Sequence, residues 1–323
     1  MDETFDVLCM GRSSIDLYAH EIGVPITGVK SFDAYVGGCP TNVSVGTRRL
    51  GLRSALLTAV GDDQVGDFVL HFLEQEGVET RFIPRKPGRR TSAVLLTIQP
   101  PDRFPLTFYR DNCADIALTV EDADTAPIAR SRFLFLSGTG LSLEPSRSAT
   151  RYAAGQARLA GGQVVVDLDY RPDQWRSPRD YAEQVQALTA DAALAIGTEE
   201  ETLAAAGTGD LETAVATMAG TGVPALVVKR GARGCTIFRA GRLPVDVPPF
   251  PVQVLNVLGA GDAFASGLLY GLSRGWPIDE AARAGNAVGA IVVTRHGCAN
   301  FMPRIDDVRA FVASHGWSLP AAG

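Results

Sequence analysis

The chain has 323 residues, 46% hydrophobic and 20% charged, and a formal net charge of −6. That size and balance suit one large α/β domain with a full core, while an acidic chain with no lysine-arginine block lacks the basic stripe a nucleic-acid partner needs. Five scattered cysteines with no C-x-x-C pair exclude a zinc or disulfide framework, and no apolar run approaches membrane-spanning length, so no membrane partner is expected.

The opening "MDETFDVLCMG" is acidic and leads straight into a strand-like run ending at Gly11. It has neither the basic start nor the apolar stretch of a signal peptide, so a reduced, cytoplasmic protein is expected. "TNVSVGTRRLGL" has helical spacing, with Val43, Val45 and Leu50 available for burial, and "SALLTAVG" follows as a strand. In "QVGDFVLHFLEQEGV", Val65, Phe68, Val69, Phe72 and Leu73 share one helical face, and Gly77 ends it.

Further along, "RFLFLSG", "QVVVDLDYRP", "AALAIGTEEE" and "PALVVKRGARG" are short apolar runs leading into polar residues. Helical patterns such as "SATRYAAGQARLA" and "LETAVATMAGTG" lie between them. Strands alternating with helices predict a parallel sheet covered on both faces, with ligands beyond the carboxyl ends of its strands. Two segments, 16–38 and 90–115, break the alternation with strand-like runs and no helix, the second split by a Pro-Pro-Asp turn at 100–102. They predict an added sheet, a lid over the strand ends.

Late in the chain, "NVLGAGDAFASG" clusters glycines around the carboxylate of Asp262. Gly259 to Gly261 stand where an extended run meets a helical pattern, and unpaired N–H groups and the helix dipole make an anion site there. A carboxylate beside a phosphate is suited to take the proton of a hydroxyl that attacks phosphorus. An acidic first-turn residue also suits the helix dipole, and the motif alone does not choose between these readings. No Gly-Lys-Ser/Thr follows, so this is not a Walker loop.

"GGCPTNVSVGTRRLG" at 37–51 is a second Gly-Gly before a helix, with Asn42 near its start. Together with "GAGDAF", with "VVKRGARG" at 227–234 and with the lid segments, in that order, it resembles the ribokinase-like (PfkB) carbohydrate kinases over residues 5 to 312. The resemblance implies one domain over 1–323, with a mostly parallel central sheet, helices on both faces and a small β-sheet lid. It implies sugar binding by Asp16, Gly38 and Asn42, an anion hole of Gly259, Ala260 and Gly261, and Asp262 as catalytic base. Lys229, Gly231 and Gly234 would border the nucleotide and Asn286 its adenine. The implied cofactors are ATP, Mg2+ and a monovalent cation such as K+. Two departures stand out. Asn256 and Val257 replace a frequent Asp-Thr near the cation, and Gly197 replaces the Asn of Asn-x-x-Glu, leaving Glu200 as the acid that holds the metal through water. A solvated lysine, a helix-surface amide and a solvated acidic helix start are the alternatives for Lys229, Asn286 and Glu200. The exposed lid edges would pair two subunits as a homodimer.

The wording "CMGRSSIDLY", "FYRDNCAD", "DLDYRPDQW" and "GTEEE" resembles the members that phosphorylate a keto-deoxy sugar acid on its terminal hydroxyl. The residues point the same way, since an arginine's planar fork suits a carboxylate. Arg110, in the lid, is the expected carboxylate partner, ahead of Arg12 and Arg171. Asp167 and Asp169 fall on one face at strand spacing, with Asp169 expected at the substrate. The other readings are a 2-keto-3-deoxy acid kinase, a silent sugar-binding protein on the same fold, and a dehydrogenase. The last is poorest, because the first strand ends "MGRSSID" and not in G-x-G-x-x-G.

Overall fold

In the computed structural model, which describes residues 4–100 and 103–321, the apolar runs become strands. In chain order these are β1 (Phe5–Met10), β2 (Ser14–Ala19), β3 (Phe32–Gly37), β4 (Ser54–Leu57), β5 (Val60–Gly61), β6 (Arg85–Lys86) and β7 (Ser92–Leu96). They continue with β8 (Leu106–Tyr109), β9 (Ser131–Ser137), β10 (Gln163–Asp167), β11 (Leu194–Thr198), β12 (Ala225–Lys229), β13 (Cys235–Arg239) and β14 (Val245–Val247). The helices are α1 (Cys39–Arg49), α2 (Gln64–Gln75), α3 (Val120–Thr125), α4 (Ser146–Leu159) and α5 (Pro178–Thr189), then α6 (Glu199–Ala206), α7 (Leu211–Gly220), α8 (Ala260–Ser273), α9 (Ile278–Val292) and α10 (Ile305–Ser314). The first three residues of the acidic start, and Pro101 and Asp102 of the lid turn, lie outside the described residues.

The eight-stranded sheet runs β14-β13-β12-β11-β10-β9-β1-β4. It is parallel from β4 to β12 and antiparallel through β13 and β14. The two-residue period of a strand sorts its side chains onto two faces. Val7, Cys9, Phe133 and Phe135 join one core with Val43 of α1, Leu268 of α8 and Val288 of α9. Leu8, Met10, Leu134 and Leu136 join the other with Ala153 of α4 and Val185 of α5. Burial on both faces is why these strands are almost continuously apolar.

The four-stranded second sheet runs β3-β2-β7-β8 and unites the two segments that broke the alternation. Within it Asp16 pairs with Tyr35 on one side and Val94 on the other. Asp16 is therefore a mid-strand residue of the lid sheet. The sequence reading, which put it at the end of the first strand, is corrected, because Gly11 and Arg12 already turn the chain into a new strand.

The start of α8 is placed by its packing on α9. A Cβ on Gly267 would stand 2.7 Å from the Ala284 carbonyl oxygen, and one on Gly285 would stand 2.8 Å from that of Phe264. Backbone cannot yield there as a side-chain tip can. Gly267→Ala should cost about 1–3 kcal/mol by overpacking. Gly155→Ala in α4, where a Cβ meets nothing within 4 Å, should gain roughly 0.5–1 kcal/mol. Urea midpoints of the two variants should move in opposite directions.

Candidate active site

Two glycines shape one wall of the cleft at the strand ends. A Cβ on Gly37 would overlap the Asp16 carboxylate at 1.9 Å, and one on Gly38 would lie 2.3 Å from the Arg12 carbonyl oxygen. Gly38 has φ of 104°, which favours glycine. The pair lets the N-terminus of α1 close against the turn between β1 and β2, and so brings Arg12, Asp16 and Asn42 together. On the opposite side Gly259 caps α8 in the left-handed region, at φ 79°. Asp262 then falls in the first turn of α8, half-buried, and its Oδ2 accepts a 2.7 Å hydrogen bond from Asn42 Nδ2.

Burial pushes the Asp262 carboxyl above its ordinary range against the opposing hydrogen bond from Asn42, and the negative Asp169 adds to the rise. Burial likewise raises Asp16 to about 6, opposed by Arg12 and by the Ser14 hydroxyl that donates to it at 2.7 Å. Asp169 goes the other way. Burial would raise it, but Arg171, Arg12 and the Thr139 hydroxyl outweigh burial and hold it below the carboxylate range. Arg171 lies 3.0 Å from Asp169 Oδ1, and Thr139 Oγ1 donates to Oδ2 at 3.0 Å.

Arg12, Asp16, Gly38, Asn42, Asp169, Arg171, Gly259 and Asp262 line one cleft, with Leu96 and Phe108 from the lid and with Cys39 and Cys298. Ala260 and Gly261 complete the start of α8; the Ala260 N–H is taken by the Val257 carbonyl at 3.2 Å, which leaves its neighbours' N–H groups for an anion. Lys229, at the end of β12, reaches them: its Nζ lies 3.0 Å from the position of a Cβ on Gly261. That ammonium is 3.0 Å from Asp167 Oδ2 and 3.9 Å from Glu201 Oε2. Burial would lower the Lys229 pKa, but these two acids more than offset it.

Three expectations change on this geometry, those for Arg110, Glu200 and Asn286. Arg110 is buried, yet its Nε and Nη2 donate to Asp115 Oδ2 at 2.9 and 2.6 Å and its Nη1 donates to Gln174 Oε1 at 2.7 Å. Its fork is occupied and it does not line the cleft, so it fastens the lid and is not the carboxylate partner. Glu200 is exposed. Glu201, one residue on, closes the capping box with Thr198 and faces Lys229. Asn286 spends its Nδ2 on the carbonyls of Val247 and Pro248. A Cβ on Gly234 would strike the same Val247 carbonyl at 2.1 Å, so Gly234 and Asn286 shape one wall from below. Gly231 sits in the turn between β12 and β13 with open space around it. Phe108 and Cys298 were missed, and nothing in their local sequence marks them. Glu201 had a signal, because Thr-x-x-Glu before an apolar helix is a capping pattern.

Among the described residues no cluster of three His, Cys, Asp or Glu side chains is placed to hold a metal alone. The acids beside the anion loop, Glu201 and Asp167, are hard oxygen donors of the kind Mg2+ accepts alongside phosphate and water. None of the described helices is long and apolar enough to cross a membrane.

The profile of the pfkB family carbohydrate kinases matches residues 4–305. The 5-dehydro-2-deoxygluconokinase of Shouchella clausii is 35% identical over 313 residues, 95% of each chain. The fructokinase of Vibrio cholerae O395, solved with fructose, ADP and potassium ion, superimposes with a TM-score of 0.85 at 28% identity, over 96% of this chain and 99% of that one. The ATP-bound fructokinase of Xylella fastidiosa superimposes with a TM-score of 0.87 at 25% identity, over 96% and 99%.

Arg110→Ala should act on stability, since it leaves Asp115 charged, buried and unpaired at a cost of about 3–5 kcal/mol. Denaturant titration should show that loss. Substrate KM, measured where the variant remains folded, should hardly change.

Proposed function

The chain belongs to the pfkB family of carbohydrate kinases, and we propose that within it the enzyme transfers the γ-phosphoryl group of ATP to the terminal, 6-hydroxyl of 5-dehydro-2-deoxy-D-gluconate, a step of myo-inositol catabolism. The observation that carries this reading is Asp262. It is a half-buried carboxylate on the anion loop, hydrogen-bonded to Asn42 and open to the cleft that Asp16 and Gly38 line. The choice of a sugar acid is supported by the activity named for the Shouchella clausii relative and by two guanidinium groups, Arg12 and Arg171, in that cleft.

In this reading the sugar lies along Asp16, Gly38 and Asn42, with its terminal hydroxyl at Asp262. Asp262 removes the hydroxyl proton as the oxygen bonds to phosphorus, and the bond from phosphorus to the departing ADP oxygen breaks. The N–H groups at Gly259 and Gly261 and the dipole of α8 stabilise the charge on the transferring group, while Ala260, whose N–H donates to the Val257 carbonyl, holds the loop in shape. Lys229, pinned by Asp167 and Glu201, adds a fixed positive charge at the same loop. Asn42 orients Asp262 and favours its ionised form. Mg2+ bound with ATP would neutralise phosphate charge, and Glu201 and Asp167, the acids around Lys229 beside the loop, would hold it through water. A monovalent cation such as K+, present in the Vibrio cholerae fructokinase structure, would sit near Asn256, whose amide is neutral where relatives carry an acid. Gly231, Gly234 and the wall held by Asn286 border the nucleotide. A cytoplasmic setting is supported by five buried, free cysteines, and a homodimer through the lid by the outer strands β3 and β8, which expose Phe32 and Tyr109.

ADP release with MgATP and a panel of 5-dehydro-2-deoxygluconate, 2-keto-3-deoxygluconate, fructose and ribose tests the reading. The first acid should be the best substrate, and turnover of neutral sugars alone would sink it. Asp262→Asn should lower kcat by ~10²–10⁴-fold with an unchanged melting temperature.

The pH dependence has a definite sign. The base works ionised, so kcat/KM is held above its pKa and falls as pH drops through it. Because burial raises Asp262, that limb should lie above the ordinary value of about 3.9 for an aspartate. Asn42→Ala removes the hydrogen bond that favours the anion and should move the limb to higher pH. A limb left in place would mean that another group titrates.

A further inference from the structure

We infer that Arg12 selects the substrate: its guanidinium, on the turn between β1 and β2, receives the carboxylate of the sugar acid under Phe108 of the lid. The inference rests on the sugar-acid reading above and goes beyond it by naming the group that distinguishes an acid from a neutral sugar.

Charge pairing in and beside the cleft singles this residue out. Arg171 has Asp169 at 3.0 Å, Lys229 has Asp167 at 3.0 Å, and Arg110 has Asp115 at 2.6 Å. Arg12 is only 7% exposed, and among the described residues no carboxylate lies within 4.0 Å of its nitrogens. Its Nη1 donates to Ser14 Oγ at 2.9 Å and its Nε is buried without a partner. Asp16 stands one hydroxyl away, through the Ser14 relay, which tempers the charge without pairing it. Buried charges are ordinarily paired because desolvation is costly. A guanidinium with five donors and so few acceptors is therefore built to receive an anion.

The side chain is also held in readiness. The backbone carbonyl of Arg12 accepts from Thr41 Oγ1 at 3.2 Å, which fixes the turn, and the guanidinium lies 5.3 Å from the centroid of the Phe108 ring. The lid side of the cleft is apolar, with Val94, Leu96 and Leu106 lining it together with Phe108, and low polarity strengthens a charge-assisted pair. A planar, two-oxygen carboxylate matches the fork.

Arg12→Gln and Arg12→Lys, each assayed with 5-dehydro-2-deoxygluconate and with fructose, test this. Arg12→Gln should raise KM for the acid by about 30-fold or more, as expected for truncating one partner of a buried charge pair. A carboxylate held away from the reacting hydroxyl contributes binding common to ground and transition states, so kcat should fall far less than KM rises. Arg12→Lys keeps the charge without the fork and should fall between Arg12→Gln and the parent. The parent's preference for the acid over fructose should collapse in Arg12→Gln. Thermal stabilisation by the acid in the absence of nucleotide should vanish with it. An acid KM unchanged in both variants, or raised only by Arg171→Gln, would overturn the assignment. So would an Arg12→Gln protein that melts lower yet binds the acid normally, since that is a structural role. A sugar phosphate preferred over the acid by the parent and lost in Arg12→Gln would overturn the carboxylate assignment too. A parent that phosphorylates neutral sugars and no acid overturns the sugar-acid reading instead, which keeps the two failures apart.

Discussion

The hydrogen bond from Asn42 to Asp262 joins two helix N-termini that lie 220 residues apart in the chain. Each brings unpaired N–H groups and the positive end of a dipole to the cleft, so the space between α1 and α8 is electropositive before any side chain is counted. An anionic group is stabilised there. Asp262 stands at that junction as the protein's own carboxylate, beside the place where a phosphoryl group would be cradled. The sheet behind it supplies rigidity, and the close contact of α8 with α9 at Gly267 and Gly285 keeps the junction in register.

Around that junction the charges are arranged by partner. Asp169 is satisfied by Arg171 and Thr139 and stays ionised. Lys229 is held on the anion loop by acids from the end of β10 and the first turn of α6. Asp16 and Asp262, with fewer opposing partners, are pushed up by burial. These opposite shifts separate Asp169, which structures the site, from Asp16 and Asp262, whose proton affinity is raised. The ordering costs little at the moment of reaction, because each group is already fixed by a second residue.

The lid enters through packing as well as through covering. Arg110 ties the end of β8 to Asp115, to the Thr139 carbonyl and to Gln174, so the lid sheet is riveted to loops at the strand ends of the main sheet. Tyr18, a buried residue of β2 in the lid sheet, meets Cys298 at 2.6 Å and Tyr35 of β3 edge-on. The same sheet that presents Phe108 to the cleft is thus anchored on both flanks.

Much of this was legible in the sequence. Alternating apolar runs and helical periods require a parallel sheet, because strands buried on both faces leave no polar alternation and need helices to cover them. The glycines at 37–38 and 259–261 marked two helix starts, and Gly38 and Gly259 line the cleft between them. Which charged side chain is free was not legible. Arg110 and Arg12 look alike in sequence, each beside a strand-like run. Only folding delivers Thr139 and Gln174, 29 and 64 residues away, to the first, and leaves the second with a serine and an aromatic ring. Glu200 and Glu201 are likewise the same residue type, separated by one helical step of about 100° that turns one to solvent and the other to Lys229. Residue type and period are local properties that a sequence carries. The pairing of a charge is a property of three-dimensional neighbours, and here it decides which charged residues of the cleft are left without a partner.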